Sequence, residues 1–346
     1  MKFGRLAGGG TVELEERPLP EAAAGEIVVA LGACGVCGTD LEKLRGNYRS
    51  AGILGHEPVG RVSQVGSGVA DLSVGDRVFV HHHVPCYSCA VCARGDFTFC
   101  PTYSRTNIDP GGFAEAFRVP EENVRRGAVL RLSPRIDWEV GTLLEPAGCA
   151  LTAIHRVGLV QGSSVLVLGL GPVGLLYARL ARALGAGWVG GSEIAPLRRA
   201  AAEHGGVDVT VDPREDGAVK AAVDRATGGQ GADLVVVATG QPTVARLATQ
   251  LVRRGGTVNL FGLPEAGGRL DADLQDLYLR GVRLIPSYAT TEPDIAEVHR
   301  LVSTGQLALS DLVTHRIPLG RLEEAFRLAG QPDESVKVVV TGPAAG

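Results

Sequence analysis

Hydrophobic and polar positions change their period once along the chain, near residue 135. Before that point, short runs such as EIVVALGACG, VGRVSQVG and DRVFVHH are β-rich and broken by Gly and Asp, which predicts strands joined by turns. After it, EVGTLLEPAGCALTAIHRVGL reads as helix. Strand-like and helix-like stretches then alternate: SVLVLGL, GLLYARLARALGA, WVGGSE, PLRRAAAEHG, DVTVD, GAVKAAVDRATGG, DLVVVATG, VARLATQLVRRG, TVNLFG. Such a βαβ series predicts a parallel sheet. Beyond about 285 the alternation loosens, with one helix expected near 292–304 and another near 320–329. The closing VKVVVTG reads as a strand that rejoins the first part. The expected organisation is α/β: a β-rich domain over 1–150, a parallel-sheet domain over 151–285, and a segment 286–346 returning to the first.

The length of 346 residues accommodates two such domains, and the hydrophobic content of 45% gives them cores. A net charge of −4 argues against nucleic acid as the main partner. No apolar run reaches the roughly 18–20 residues that span a bilayer, and MKFGRLAGGGT carries no secretory signal. A cytoplasmic protein with reduced thiols is expected. The 48 glycines suit many tight turns and close backbone approaches.

The stretch SVLVLGLGPVGLLYARLARALGA carries G-x-G-x-x-G at Gly169, Gly171 and Gly174, between a predicted strand and a predicted helix. In that context Gly169 allows the tight turn and Gly171 lets the backbone approach a pyrophosphate. Gly174 lets helix and strand pack, and the phosphates sit at the helix start formed by Pro172 and Val173. Glu193 ends the next predicted strand, 24 residues after Gly169, where a ribose-binding carboxylate belongs. A carboxylate accepts both ribose hydroxyls and repels a 2′-phosphate, which favours NAD over NADP. Arg198 can reach the same ribose, while the pair Arg198 and Arg199 argues in the other direction.

Cys86, Cys89, Cys92 and Cys100 follow three histidines in the spacing C-x2-C-x2-C-x7-C. A disulfide knot, an iron–sulfur site and a tetrahedral metal site compete for this cluster. The odd total of seven cysteines weakens the first, and the long last interval departs from the bacterial ferredoxin run C-x2-C-x2-C-x3-C-P. Closed coordination by four thiolates suits zinc, and on spacing alone the readings stay open. If four thiolates fill one ion, His81, His82 and His83 are left for hydrogen bonding or for lining a cleft. Strand alternation sends His82 to the face opposite the other two. A second set, Cys37, Thr39 and Asp40 in GACGVCGTDLEKL with His56 and Glu57 in GHEPVG, suits an open zinc site.

The run G-H-E-x2-G-x5-G-x2-V from Gly55 to Val69 resembles the signature of the zinc-containing medium-chain alcohol dehydrogenases. The resemblance extends over nearly the whole chain through GVCGTD, VGDRV, the four-cysteine lobe, GGFAE, LEP, the Gly169–Gly174 turn and KVVV. It implies a Rossmann doubly wound domain plus a β-rich GroES-like catalytic domain with a structural zinc lobe at about 84–103. It also implies two Zn2+ per chain. The catalytic zinc is then held by Cys37, His56 and an acid, either Glu57 or Glu145, as in the polyol and threonine dehydrogenase branches. Cys149 is a lesser rival ligand, and Cys34 reads as a small buried side chain. Thr39 is expected to bond the substrate hydroxyl and pass on its proton, and Asp40 to fix the His56 tautomer. Glu42 replaces the His that ends the proton relay in many relatives, and is either a relay or a surface group.

The implied activity is hydride transfer between NAD and a secondary alcohol, with a polyol, cyclitol or sugar as substrate, in a homodimer or homotetramer. Asn47, Tyr48, Ser50 and Thr106 are candidates to bond additional hydroxyls. The alternatives are an L-threonine 3-dehydrogenase, with Arg45, Arg49 or Arg105 meeting the carboxylate, and a silent scaffold member of the family.

Overall fold

The computed structural model describes residues 1–7, 10–47 and 54–345. The chain divides into two compact units, one of residues 1–148, 290–331 and 337–346, the other of residues 149–289 and 332–336.

The first unit is organised around the strand Ile27–Gly35, whose sequence IVVALGACG is apolar on both faces because both are covered. It pairs antiparallel with Pro58–Val65, Ala116–Val119 and the returning strand Lys337–Thr341. Arg77–Val80 and Val129–Arg131 extend the sheet on one side, and Val313–Pro318 closes the other. Helix Leu322–Ala329 buries Leu322, Ala325, Phe326 and Leu328, spaced for one helical face. Phe326 packs edge-on against Phe113 within this core. Truncating such a buried ring costs about 3–5 kcal/mol. The consequence for function is rigidity at the C-terminal end of Ile27–Gly35, where the chain delivers Cys37.

The second unit is a six-stranded parallel sheet in the order Val209–Val211, Trp188–Ser192, Ser164–Leu168, Ala232–Val237, Val252–Leu260, Arg283–Pro286. The order reverses between Ser164–Leu168 and Ala232–Val237, and ligands of such sheets bind outside the strand ends at this point. Helix Pro172–Ala183 leaves the first of these strands there, with Pro172 in its opening turn, where a missing N–H costs nothing.

The helix expected through VARLATQLVRRG stops at Leu251, and Val252–Leu260 is strand. β-Branched Val252 and the pair Gly255–Gly256 disfavour helix, and a register irregularity against Ala232–Leu234 absorbs the early entry into the sheet. Likewise 139–159 holds two helices, Trp138–Gly141 and Leu144–Val157, instead of one. Among the described residues no helix is long and apolar enough to cross a membrane.

Candidate metal and dinucleotide sites

Cys37 caps the helix Gly38–Leu44, its Sγ accepting from Thr39 N at 3.5 Å while Asp40 Oδ2 accepts from Cys37 N at 3.1 Å. This is a capping box with a thiol in place of the usual hydroxyl. Asp40 Oδ1 accepts from Gly55 N at 3.1 Å and lies 3.4 Å from His56 Nδ1, near enough for ion pairing but not aligned as a hydrogen bond. One fully buried carboxylate therefore braces both segments that carry Cys37 and His56. Gly55 makes the approach possible: its φ of 75° is left-handed, and a Cβ there would lie 2.6 Å from Phe113 N. One ligand atom from each of Cys37, His56 and Glu57 lies within 4.8 Å of the others. Burial alone would disfavour charge on His56, but Asp40 and Cys37 outweigh it and push its pKa well above the ordinary value. Burial likewise opposes ionisation of Asp40, yet His56 holds that carboxyl below the usual range.

Glu57 is fully buried and its Oε2 is paired with the equally buried Lys337. Burial raises its pKa above the ordinary value against the pull of Lys337 and His56. Its Oε1 has no hydrogen-bond partner. One oxygen is thus neutralised by Lys337, and the other is left as an acceptor beside Cys37 and His56. Gly35 makes room for the pair, since a Cβ there would fall 1.8 Å from Glu57 Oε2. The donor set of thiolate, imidazole and carboxylate, with an acceptor left over, fits zinc.

Glu145, in the first turn of Leu144–Val157, groups with a different pair: ligand atoms of His81, His82 and Glu145 lie within 4.8 Å of one another. The strand Arg77–Val80 ends before the histidines, yet their rings still alternate as expected, His81 and His83 to one side and His82 to the other. His81 Nδ1 meets Glu292 Oε1 at 2.6 Å, and His83 Nδ1 meets the Thr106 carbonyl at 2.6 Å. Both rings pack on Tyr103, whereas the His82 ring lies 5.2 Å from His56. Burial pushes the His82 pKa well down, with His83, His56 and His81 adding to the effect.

Cys34 is fully buried, and burial pushes its thiol well up, with Asp40 and Glu57 adding. Cys149 belongs to none of the ligand groups found among the described residues. Thr39 is partly exposed on the turn beside Cys37. Glu42 is held by Arg45 at 2.6 Å and by Asn47 at 2.8 Å. The Thr106 hydroxyl is taken up by the backbone, accepting from Val84 N at 2.9 Å, so it is not free for a substrate hydroxyl. Arg105 is exposed, and Tyr48, Arg49 and Ser50 lie outside the described residues.

In the lobe, sulfur–sulfur distances are 3.9 Å for Cys86–Cys92, 3.6 Å for Cys89–Cys92 and 3.8 Å for Cys89–Cys100. Four sulfurs about 2.3 Å from one zinc stand about 3.8 Å apart at the corners of a tetrahedron. The separations are far too long for disulfides, and too short for thiols spread around a multi-iron cluster. Backbone and hydroxyl donors of Ser88 pull the Cys86 thiol down to about 5. Thiolates arranged in this way fit a single closed zinc site.

In the second unit Gly169 takes a φ of 96°, and a Cβ on Gly174 would sit 2.0 Å from the Gly169 carbonyl. A Cβ on Gly171 would meet only Arg198 Nη1, at 3.5 Å, so the space above this residue is open to a ligand. Helix Pro172–Ala183 has no side-chain cap, leaving its first N–H groups to a bound phosphate. Glu193 Oε2 accepts from Leu170 N at 3.0 Å and Oε1 from Ala195 N at 3.1 Å, so the acid is aimed at the glycine turn. Arg198 is bonded to the Ser335 carbonyl, while Arg199 and Arg214 are held by Asp212 and by the Ile194 carbonyl. These features fit a dinucleotide.

Sequence reasoning did not single out Lys337 or Glu292 as site residues. A lysine opening a buried strand was the available signal for Lys337; Glu292 sits 211 residues from His81 and offered none.

Two family descriptions match the chain: alcohol dehydrogenase GroES-like domain over residues 23–128, and zinc-binding dehydrogenase over residues 172–304. The chain is 34% identical over 329 residues to an L-threonine 3-dehydrogenase of Pyrococcus abyssi, covering 91% of each. It is 30% identical over 348 residues to a sorbitol dehydrogenase of Bacillus subtilis, covering 95% of this chain and 94% of that one. A solved structure from Sinorhizobium meliloti 1021, described only as a zinc-binding dehydrogenase and bound to NADP, superposes with a TM-score of 0.87. It is 30% identical, with 98% of each chain covered.

Proposed function

The chain belongs to the zinc-containing medium-chain alcohol dehydrogenase family, and from that premise we propose that it interconverts a secondary alcohol and a ketone with NAD, the alcohol carrying further hydroxyls as in a polyol, cyclitol or sugar. The observation that carries the substrate half is the free Oε1 of Glu57 beside Cys37 and His56. A sphere of one thiolate, one imidazole and carboxylate oxygen is harder than one with two thiolates, and it tolerates an added oxygen ligand. A vicinal diol supplies that oxygen. The similarity to a sorbitol dehydrogenase supports the same class.

In this reading Cys37, His56 and Glu57 hold the catalytic zinc, with Glu145 as the alternative oxygen ligand, and Cys86, Cys89, Cys92 and Cys100 hold a structural one. Bound zinc supplies Lewis acidity to the substrate oxygen, and bound NAD supplies the hydride acceptor. Thr39 accepts a hydrogen bond from the reacting hydroxyl and hands its proton outward, toward Glu42. Asp40 keeps His56 in one tautomer and orientation. Gly169, Gly171, Pro172, Val173 and Gly174 cradle the pyrophosphate, and Glu193 accepts the ribose hydroxyls. Arg199 and Arg214, engaged by Asp212, support NAD over NADP because they are already committed. A homodimer or homotetramer in the cytoplasm completes the reading. Exposed Leu274, Tyr278, Leu279, Leu284 and Tyr288, on and around the edge strand Arg283–Pro286, support a subunit contact there.

The identity to an L-threonine 3-dehydrogenase favours a second reading, threonine as substrate. It requires a cation for the carboxylate, and Arg45 is engaged by Glu42. The test is kcat/KM for each polyol against the monohydroxy alcohol of the same carbon skeleton, with L-threonine alongside and with both cofactors. Polyols ahead by about 10²–10⁴ are expected, because a site built for several hydroxyls is left with unpaired groups when they are missing. Simple alcohols matching the polyols would remove the polyol reading, and turnover of threonine alone would install the second. Equal kcat/KM with NAD and NADP would remove the role given to Glu193.

A further inference from the structure

A cavity of about 340 Å³ opens in the second unit at the N-terminal ends of the parallel strands, roughly 15 Å from the glycine turn along Ser164–Leu168. Asp233, Arg253, Thr257 and Arg283 line it, and neither the metal sites nor the dinucleotide turn uses any of them. Arg283 is exposed and has no hydrogen bond or ion pair among the described residues. Arg253 gives its Nε to Asp233 Oδ1 and its Nη1 to the Arg254 carbonyl, both at 2.6 Å, and its Nη2 has no partner among the described residues. Asp233 is fully engaged, because its Oδ2 accepts from Ser164 N and from Ser164 Oγ, each at 2.7 Å. Two guanidiniums against one carboxylate leave the cavity with an uncompensated positive charge. Thr257 is 2% exposed, and its hydroxyl has no hydrogen-bond partner. A buried hydroxyl in that state costs free energy until a partner arrives.

The sheet register brings these groups together. Thr257 stands opposite Arg283 in the parallel pair, so both side chains leave the same face of the sheet. Guanidinium N–H groups fork around the oxygens of a carboxylate or a phosphate, and a hydroxyl donates to a further oxygen. A helix C-terminus repels an anion, and Leu144–Val157 ends at this cavity. Its carbonyls at Ile154 and His155 already accept from Gly158 N, at 3.1 and 3.2 Å, so those oxygens are satisfied within the closing turn. The volume lies at the small end for ligand cavities, which suits a small metabolite and not a dinucleotide.

We propose that this cavity binds a small molecule by an oxyanion, a phosphoryl or carboxylate group, with Arg283 as chief anchor and with Arg253 Nη2 and the Thr257 hydroxyl completing the cradle. The bound anion balances the leftover charge. It also ties the edge strand Arg283–Pro286 to Val252–Leu260, so it stabilises the second unit. The site is independent of the catalytic reading and stands whether the substrate is a polyol or threonine.

The experiment is titration calorimetry and thermal unfolding of the zinc-loaded, NAD-saturated full chain with inorganic phosphate, with acetate, and with chloride at matched ionic strength. NAD fills the glycine turn, so an added anion does not report from there. Saturable binding of phosphate or acetate is expected, with Tm rising as the anion is added, while chloride does neither. Tighter binding of phosphate assigns a phosphoryl ligand, and tighter binding of acetate assigns a carboxylate. Arg283→Gln should weaken the better anion about 10-fold or more, with kcat and NAD affinity unchanged. Thr257→Val puts a methyl where the hydroxyl finds no partner. It should keep a Tm no lower than native without the anion, and weaken the anion about 3-fold or more. No saturable binding of either anion, an equal response to chloride, or unchanged affinity in either variant would overturn the proposal.

Discussion

The two ligand sets of the first unit are built on opposite plans. The lobe draws four identical donors from one short segment, Cys86 to Cys100, with every sulfur turned toward the others. The other set gathers unlike donors from separate segments, Cys37 after one strand and His56 with Glu57 before another, and Lys337 supports it from near the end of the chain. The lobe leaves no acceptor over, whereas the second set keeps Glu57 Oε1 unpaired in a buried place. A closed site can only contribute folding free energy; a site with an open position and an unsatisfied acceptor can act on a substrate. The difference teaches that the mixed site carries a stability cost, met by a dedicated counter-charge and by the double brace of Asp40.

Breaking one ligand in each set tests this most directly. Cys37→Ser should lower kcat/KM by about 10³-fold or more, about 4 kcal/mol of transition-state stabilisation, while thermal stability and NAD binding stay near those of the native protein. Retained turnover would show that this set is not the reacting centre. Next in size is Lys337→Met, assayed by denaturant unfolding of metal-free protein. It strands Glu57 as a buried unpaired charge, and a loss of about 3–5 kcal/mol is expected. Zinc should recover part of that loss by engaging the carboxylate; a loss below about 1 kcal/mol would mean that Glu57 is neutral without its partner.

Cys92→Ser should act in the reverse sense to Cys37→Ser. It should lower Tm by on the order of 10 °C and release one zinc, leaving kcat in the surviving folded fraction close to native. A kcat loss as deep as that of Cys37→Ser, at unchanged Tm, would erase the distinction between the two plans. The smallest effect is expected of Asp40→Asn, which keeps one acceptor for the two N–H groups of Cys37 and Gly55. Zinc affinity at the mixed site should fall about 10–100-fold with no change at the lobe, read by competition with a chromophoric chelator.

The lobe's four donors were legible from spacing, because ligands close in sequence need only a local loop to meet, while the resemblance named their ion. The glycine turn was legible for the same reason: Gly169 and Gly174 answer local demands for a left-handed φ and for close packing. The mixed site was legible in its donors and not in its connections. Asp40 read as a brace, but its bond to Gly55 depends on two separate loops meeting. Alternation foresaw that His82 turns away from His81 and His83, but that it faces His56, and that Glu145 groups with the histidines, followed from no pattern. The helix carried too far, past Leu251, shows the same limit, because its end is set by where the sheet accepts Val252.

By itself the sequence determined the α/β class, the resemblance to a dehydrogenase family and the candidate donors, with the four cysteines of the lobe for one metal and Cys37, His56 and either Glu57 or Glu145 for the other. Each of these rests on local spacing or on side-chain chemistry that no partner alters. Only the tertiary structure decided that Lys337 neutralises one oxygen of Glu57 and leaves the other free, and that Glu292 pairs with His81. Both depend on contacts between residues more than two hundred positions apart, and such contacts form only when the burial of the whole core brings distant strands and helices together.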